Sequence, residues 1–246
     1  MTQRSTKRTL IAVFLAVLPA MLSAHPLWSK AVESLRMSAD LLPGTMAATF
    51  DQFNGRGELI SRDETVVRLW ADETGEIQSQ VVSARRNGED VTDERRDSPQ
   101  SGGGPFGPGQ GQAGDTDDGS PFASFQRNPF APEEQPHITI VSTGGRRMLD
   151  GAFVLPIEFE HRTGPEAVNR GTAWLDADTG APVRLETTID PLPRFVTELV
   201  MVQHYGLNED EQLVVERIEF SGEGRLLLFR RRLESVLFFS EYFRSP

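Results

Sequence analysis

The strongest constraint on the fold is an alternation of apolar and polar residues that begins at Thr45 and dominates the chain from His137 to its end. A period of two is typical of strands with one buried face. The alternation is clearest in one segment, whose apolar side chains are Phe153, Leu155, Ile157 and Phe159. We predict about ten strands, and the short loops between them favour antiparallel pairing because parallel neighbours need long crossovers.

Turn residues separate these predicted strands. Residues 70–75 and 174–180 each combine an aromatic strand end, an acidic turn opener and a Gly suited to positive φ, as in hairpins. The later strands are expected to centre on Trp174, Leu185, Leu199, Ile218, Leu228 and Phe238, with Gly222 to Gly224 among the separators. Asp176, Asp178 and Gly180 also have calcium-loop spacing, but Thr187 stands where an EF-hand needs Glu.

One long helix is predicted, over residues 27–42. Its apolar residues recur at spacings of three and four, and Pro43-Gly44 would end it. A sheet of about ten strands curls, closes or splits into layers, so the apolar stripe of this helix would cover the inner face of a curled sheet. The predicted fold class is therefore α+β, a large curled antiparallel sheet forming an incomplete β-barrel around an N-terminal helix.

Residues 1–24 have the layout of a secretory signal peptide: a basic start, an apolar run, Pro19 and the small pair Ser23-Ala24. We expect cleavage after Ala24 and secretion across a membrane, with no stable membrane anchor afterwards. A retained anchor is the weaker alternative because the run is short for a bilayer. Residues 25–246 then form a single domain.

The segment 98–136 is rich in Gly and Pro and poor in aliphatic side chains. Such a composition buries too little surface to offset the entropy of ordering, so we predict a disordered insertion that interrupts the domain without dividing it. Phe130 is expected to dock where order resumes.

Charge and composition exclude several functions. The net charge of −11 argues against nucleic acid as a partner and against anionic headgroups. The only basic cluster, Arg225 with Arg230, Arg231 and Arg232, is interpreted as the solvated end of an edge strand. The absence of Cys excludes disulfides, thiolate metal sites, cysteine nucleophiles and a lipid anchored on Cys.

No catalytic motif for nucleophilic, metallopeptidase, phosphate-loop or dinucleotide chemistry is present. The four histidines are scattered, and paired carboxylates lie in or beside the insertion. One metal alternative remains: cleavage before His25 would let its amine and imidazole chelate copper together with His161 or His204. We nevertheless predict no enzyme, no cofactor and no metal site.

Four segments resemble the superfamily of periplasmic lipoprotein carriers, the LolA-like proteins, and in particular its uncharacterised Gram-negative members. They are Asn87 to Thr92, Asn128-Pro129-Phe130 with Pro132, the hairpin over 174–182, and the closing Phe239-Ser240-Glu241-Tyr242-Phe243. The resemblance implies an unclosed β-barrel whose apolar concave face is covered by helices and receives acyl chains. The insertion 98–136 departs from the carrier pattern.

The predicted function is therefore a soluble periplasmic protein that binds or carries the acyl chains of a lipid or lipoprotein. The alternative is a non-catalytic module on the same fold that senses or binds an envelope protein. The candidate lipid-binding side chains, which would otherwise form solid core, are Phe50, Leu69, Phe153, Leu155, Ile157, Phe159, Leu199 and Phe238.

Overall fold

A computed structural model describes residues 25–97, 127–226 and 229–245. It contains the helices α1 (Pro26–Arg36) and α2 (Thr92–Asp97) and a 3₁₀ helix (Pro132–His137). The strands are β1 (Leu41–Leu42), β2 (Thr45–Phe53), β3 (Leu59–Ala71), β4 (Ile77–Arg86), β5 (Glu89–Asp90), β6 (Ile138–Thr143), β7 (Arg147–Leu149), β8 (Ala152–Arg162), β9 (Val168–Asp176), β10 (Pro182–Asp190), β11 (Val196–Leu207), β12 (Leu213–Leu226), β13 (Phe229–Ser240) and β14 (Phe243–Arg244).

Twelve strands form one antiparallel sheet in the order β5-β4-β3-β2-β13-β12-β11-β10-β9-β8-β6, with β7 also paired to β8. The chain returns from β13 to pair with β2, which places the two strand-rich halves of the sequence side by side. Within the described residues β5 and β6 are edge strands and do not pair with each other, so the sheet is not closed. The predicted α+β incomplete barrel is confirmed.

Helix α1 is shorter than the predicted 27–42. It begins after His25, whose Nδ1 accepts a hydrogen bond from the Leu27 backbone N–H at 3.3 Å, and it ends at Arg36. A turn follows, and Leu41–Leu42 then pairs with Phe243–Arg244 as a small separate sheet. The last apolar residues of the predicted helix are therefore in a paired strand.

The strands after residue 210 also differ from expectation. Gly222 to Gly224 do not separate two strands but lie inside β12, which continues to Leu226. A Cβ at Gly222 would lie 3.1 Å from a Leu199 methyl carbon, so this glycine fits a close side-chain contact within the sheet. Leu228, expected to centre a further strand, lies outside the described residues.

The predicted insertion divides into two parts. Residues 98–126 lie outside the described residues, as does the predicted signal peptide, 1–24. Residues 127–136, which we expected to be disordered, instead have defined structure, and Pro132–His137 forms the 3₁₀ helix. The docking of Phe130 is confirmed because its side chain is 0% exposed.

Acidic residues fix the two predicted hairpins. The Asp72 carboxylate accepts hydrogen bonds from the backbone N–H groups of Thr74 and Glu76, and Gly75 has φ 84°. In the second hairpin Asp176 accepts hydrogen bonds from the backbone of Thr179, and Gly180 has φ 81°. Both turns therefore combine a side-chain acceptor with a left-handed glycine, as their sequences predict.

We call the face of the sheet that packs against α1 the helix-facing face, and the opposite side the outer face. The main core on the helix-facing face is formed by Trp28, Ala31, Phe130, Ile157, Phe159, Ala173, Leu175, Leu185, Tyr205 and Leu213. A second cluster lies farther along the same face and comprises Ile189, Leu199, Met201 and Phe220.

Candidate functional site

The first turns of α1 cover solid core. Trp28 is 2% exposed, and its ring centroid lies 4.8 Å from that of Phe130 and 5.2 Å from that of Phe159. Phe130 also meets Tyr205 edge-on, with centroids 6.5 Å apart. This end of the helix is therefore held by packed aromatic rings that leave no space for a ligand between them.

Gln135 joins the helix to the segment that carries Phe130. Its Oε1 accepts a hydrogen bond from Trp28 Nε1 at 2.9 Å. Its Nε2 donates to the backbone carbonyls of Pro129 at 2.9 Å and Ala131 at 2.8 Å. One amide side chain thus fixes both the indole and the loop on either side of Phe130.

Beyond this packed region, the last residues of α1 and the turn after it lie over a cavity of about 670 Å³. The segment 128–133 forms one wall, and strands β11, β12 and β13 form the floor. The apolar lining residues are Leu35, Ala39, Leu41, Pro43, Phe130, Ala131, Pro132, Leu213, Val214, Val215, Ile218 and Phe239, and the remainder are Arg36, Ser38, Asn128, Glu133, Gln203 and Tyr242.

Several polar groups of the lining already have hydrogen-bond partners within the protein. Gln203 Oε1 accepts a hydrogen bond from the Tyr205 hydroxyl at 2.8 Å, and Tyr242 donates its hydroxyl hydrogen bond to the Val215 carbonyl. Asn128 Oδ1 accepts from the backbone N–H of Phe130 at 2.9 Å. Burial raises the pKa of both tyrosines far above the ordinary value, so both hydroxyls remain protonated donors. The cavity therefore presents mainly apolar surface.

A second attachment holds the helix at its other end. Besides the pairing of β1 with β14, the Gly44 N–H donates to the Glu241 carbonyl at 3.0 Å, and the Ser245 N–H donates to the Asp40 carbonyl at 2.8 Å. Arg244 forms an ion pair with Asp40. We call this set of contacts the terminal clasp. It fixes Leu41 and Pro43, and so forms one rim of the cavity.

None of the eight side chains selected from the sequence lines this cavity. Ile157 and Phe159 are solid core under α1, and Leu199 belongs to the second cluster. Phe50, Leu69 and Leu155 are half-buried, whereas Phe153 is 50% exposed with the Arg146 guanidinium over its ring. Strand register places Phe238 opposite Ala47 and Arg217 on the outer face, where it is 52% exposed. The sequence-based prediction that Phe238 lines the inner face of the sheet is therefore wrong.

The actual lining combines residues that the strand pattern alone does not select. Leu35 and Ala39 were interpreted as core positions of a longer helix, and Phe130 as an anchor of the insertion. Tyr242 belongs to the closing motif on which the family resemblance depends. That motif and the Asn-Pro-Phe segment were the sequence features that could have located the cavity, since both contribute residues to its walls.

A smaller cavity of about 340 Å³ has more charged residues in its lining than the first cavity. Its charged residues are Glu158, Glu160, Arg170 and Glu186. Arg170 pairs with Glu160 at 3.0 Å and with Asp190, and Ser142 donates to Glu158 at 2.7 Å. These charges are largely matched within the protein, so this cavity is the weaker candidate for a ligand site.

The histidines give no metal centre in the described residues, where no group of three or more His, Asp or Glu side chains could hold an ion. His161 Nε2 lies 2.8 Å from Glu134 Oε2, and His204 lies beside Arg217 and Glu219. Burial and Arg217 lower the pKa of His204. No helix in the described part of the chain has the length and apolar character needed to cross a bilayer.

No protein-family model and no curated protein matches the sequence. Similar solved structures include an outer membrane lipoprotein-sorting protein domain from Vibrio parahaemolyticus, with 12% identity, a TM-score of 0.39 and coverage of 88% of this chain and 93% of that one. A LolA superfamily protein from Nitrosomonas europaea has 11% identity, a TM-score of 0.38 and coverage of 92% and 94%. A DUF1329 family protein from Desulfovibrio piger has 13% identity, a TM-score of 0.37 and coverage of 89% and 93%.

Proposed function

We propose that the protein is a non-catalytic, soluble periplasmic binder or carrier that takes the acyl chain of a lipid or lipoprotein into the cavity beneath the end of α1. The observation that carries this proposal is the cavity itself: about 670 Å³ of mainly apolar lining, with tyrosine and glutamine polar groups already hydrogen-bonded. This volume lies within the range of small-molecule sites in proteins, roughly 300–1,000 Å³.

The energetics suit an acyl chain better than a polar ligand. Burying roughly ten methylene groups contributes about 8 kcal/mol before the entropic cost of association. A polar ligand would lose its hydration and find few free partners, since the lining glutamine and tyrosine side chains are engaged elsewhere. Glu133 and Arg36, whose guanidinium also pairs with Glu33, contribute charged groups to the lining where a headgroup or ester would lie.

The test is to express the full chain, purify the exported protein from its own cell envelope and examine it by native mass spectrometry and organic extraction. We expect a stoichiometric acyl lipid. In a parallel titration with a fluorescent fatty acid, Val215→Phe should weaken binding at least ten-fold because the added ring occupies the cavity. Val82→Phe is the matched control, since Val82 is 48% exposed on β4 and lines neither cavity.

Lipid-free protein, together with equal binding by V215F and wild type, would overturn the carrier proposal. The alternative is a non-catalytic module on the same fold that binds an envelope protein. It requires lipid-free protein, equal binding by V215F and wild type, and co-purification of a stoichiometric partner protein. The two functions therefore give opposite outcomes in one preparation.

A further inference from the structure

The turns at the two ends of the sheet carry different charges. At the end where β3 passes to β4 and β11 passes to β12, the turns 72–76 and 208–212 contain only acidic charged residues: Asp72, Glu73, Glu76, Glu209, Asp210 and Glu211. At the opposite end, the turns 54–58 and 191–195 and the β12–β13 hairpin carry one acidic residue, Glu58, and six arginines: Arg56, Arg194, Arg225, Arg230, Arg231 and Arg232. We call this second region the basic end.

The three turns of the basic end are neighbours in space. The Arg225 N–H donates to the Phe195 carbonyl at 2.8 Å, which joins the 191–195 turn to β12. A Cβ at Gly55 would lie 3.4 Å from the Arg230 Cβ, so the β2–β3 turn also approaches this hairpin. The arginine-bearing turns therefore lie side by side at one end of the sheet.

Edge protection does not explain these arginines. In the sequence they were assigned to an edge strand, but β12 pairs with β11 and β13, and β13 also pairs with β2. Both strands are interior, so the charges at their ends do not serve to keep a free sheet edge from pairing.

Much of the positive charge at the basic end is unmatched. Arg230 pairs with Glu223, and Arg232 pairs with Glu234 at 3.1 Å. Among the described residues, no ion pair involves the other four: Arg56, Arg194, Arg225 and Arg231. Nearby Glu58 accepts a hydrogen bond from Asn54, and Asp190 pairs with Arg170.

Exposed apolar side chains accompany these charges. Phe195 is 51% exposed, and Leu192, between two prolines of the same turn, is 36% exposed. Leu59 and Ile60, at the start of β3, are 49% and 42% exposed. The Arg194 guanidinium lies 4.7 Å from the Phe195 ring centroid. Arginines beside exposed aromatic and aliphatic groups at turn tips suit the boundary between lipid headgroups and acyl chains.

We propose that the basic end docks reversibly on the surface of a bilayer that contains anionic phospholipid. The arginines attract the headgroup phosphates, and Leu192 and Phe195 enter the interface. A soluble polyanion would use the arginines but leave the apolar side chains in water, so the observations favour the bilayer. This inference does not depend on what the cavity binds.

The negative net charge of the chain does not prevent this docking. Strands of about 12 residues separate the acidic turns from the basic end by roughly 40 Å. The Debye length is about 10 Å at 0.1 M salt, so the acidic turns contribute little at the docking surface. The charge argument drawn from the sequence treated the surface as uniform, whereas the fold gathers six arginines at one end, where Glu58 and Glu166 are the acidic residues of the neighbouring turns.

The experiment is co-sedimentation of the exported protein, produced from the full chain, with vesicles of phosphatidylcholine alone or with 30% phosphatidylglycerol. We expect binding to the anionic vesicles only, weakened by 0.5 M salt. R194Q/R231Q should lower the partition coefficient about 25-fold, because each arginine near an anionic surface contributes about five-fold. The matched control R68Q/R146Q changes the net charge equally with two exposed arginines outside the basic end, and should bind as wild type.

A second pair of variants tests the apolar contribution. L192S/F195S retains every arginine and should also lose binding to anionic vesicles. Three results would each overturn the proposal. The first is equal binding of the wild type to neutral and anionic vesicles, and the second is an equal loss of binding in R194Q/R231Q and R68Q/R146Q. The third is strong binding of the protein to heparin without binding to the vesicles. Lipid extracted into the cavity would remain in the supernatant with the protein, so the outcome of this assay is separate from that of the carrier test.

Discussion

Replacing Gln135 by alanine removes the side chain that links α1 to the segment 128–137. Three hydrogen bonds are lost, at 2.8 to 2.9 Å, and the N–H of Trp28, a residue only 2% exposed, is left without a partner. An orphaned buried donor costs about 1–3 kcal/mol, and each hydrogen bond lost to a carbonyl costs about 0.5–1.5 kcal/mol where water does not replace it. We expect a total loss of about 2–4 kcal/mol in the free energy of unfolding.

Urea titration followed by far-ultraviolet circular dichroism measures this loss. Gln80→Ala is the control, because Gln80 is an exposed residue of β4 and such changes stay within about 0.5 kcal/mol. A double-mutant cycle with Trp28→Phe isolates the orphaned donor. Since phenylalanine has no N–H, W28F/Q135A should cost about 1–2 kcal/mol less than the two single changes added together.

Two results would refute this account of Gln135. A loss below about 1 kcal/mol in Q135A would show that water or a neighbouring group satisfies the indole once the amide is gone. Additivity of the two changes within about 0.5 kcal/mol would show that the hydrogen bond between Trp28 and Gln135 contributes no coupling energy.

Two further predictions concern the sheet. Gly171→Ala should lower the free energy of unfolding, measured in urea, by about 1–3 kcal/mol, since the new Cβ would lie 2.9 Å from Phe159 ring carbons and closer still to the Glu186 carbonyl. Gly145→Ala is the control and should be neutral, because a Cβ there would have nothing within 4 Å. Equal effects of the two substitutions would contradict the packing argument. Hydrogen bonds from Thr74, Gln78 and the turn backbone lower the pKa of Asp72 to about 2. Its stabilising effect is therefore present above the ordinary pKa of about 4 and is lost as pH falls towards the folded value. Asp72→Asn should lower the urea midpoint at pH 7 by an amount that shrinks on acidification. Q80A, which removes no ionisable group, should show no such trend. A D72N difference independent of pH would contradict this assignment.

The sequence predicts the sheet well because alternation and turn chemistry act locally. The hairpins at Gly75 and Gly180 appear as expected, and so does the single long helix beneath which the core forms. The end of that helix was misjudged because Leu42 fits a helical apolar stripe as well as it fits β1. Which of the two forms depends on pairing with Phe243, about 200 positions away in the sequence.

The cavity was harder to locate for a geometric reason. Alternation assigns a side chain to one face of a strand but not to a position along the sheet relative to the helix. Ile157 and Phe159 occupy the helix-facing face as predicted, yet they lie under the packed end of α1. The lining comes instead from five separate segments, among them a turn and a 3₁₀ helix that have no periodic signature.

The terminal clasp has a consequence for the order of folding. Joining Leu41 to Arg244 directly would close a loop of about 200 residues, which costs about 3.5 kcal/mol more in chain entropy than closing a four-residue turn. Pairing of β13 with β2 removes most of that cost, since it already brings Ser240 beside Thr45. The rim of the cavity is thus completed only after β13 has paired with β2 and β14 has reached β1. The cavity is therefore expected to be among the last features of this fold to form.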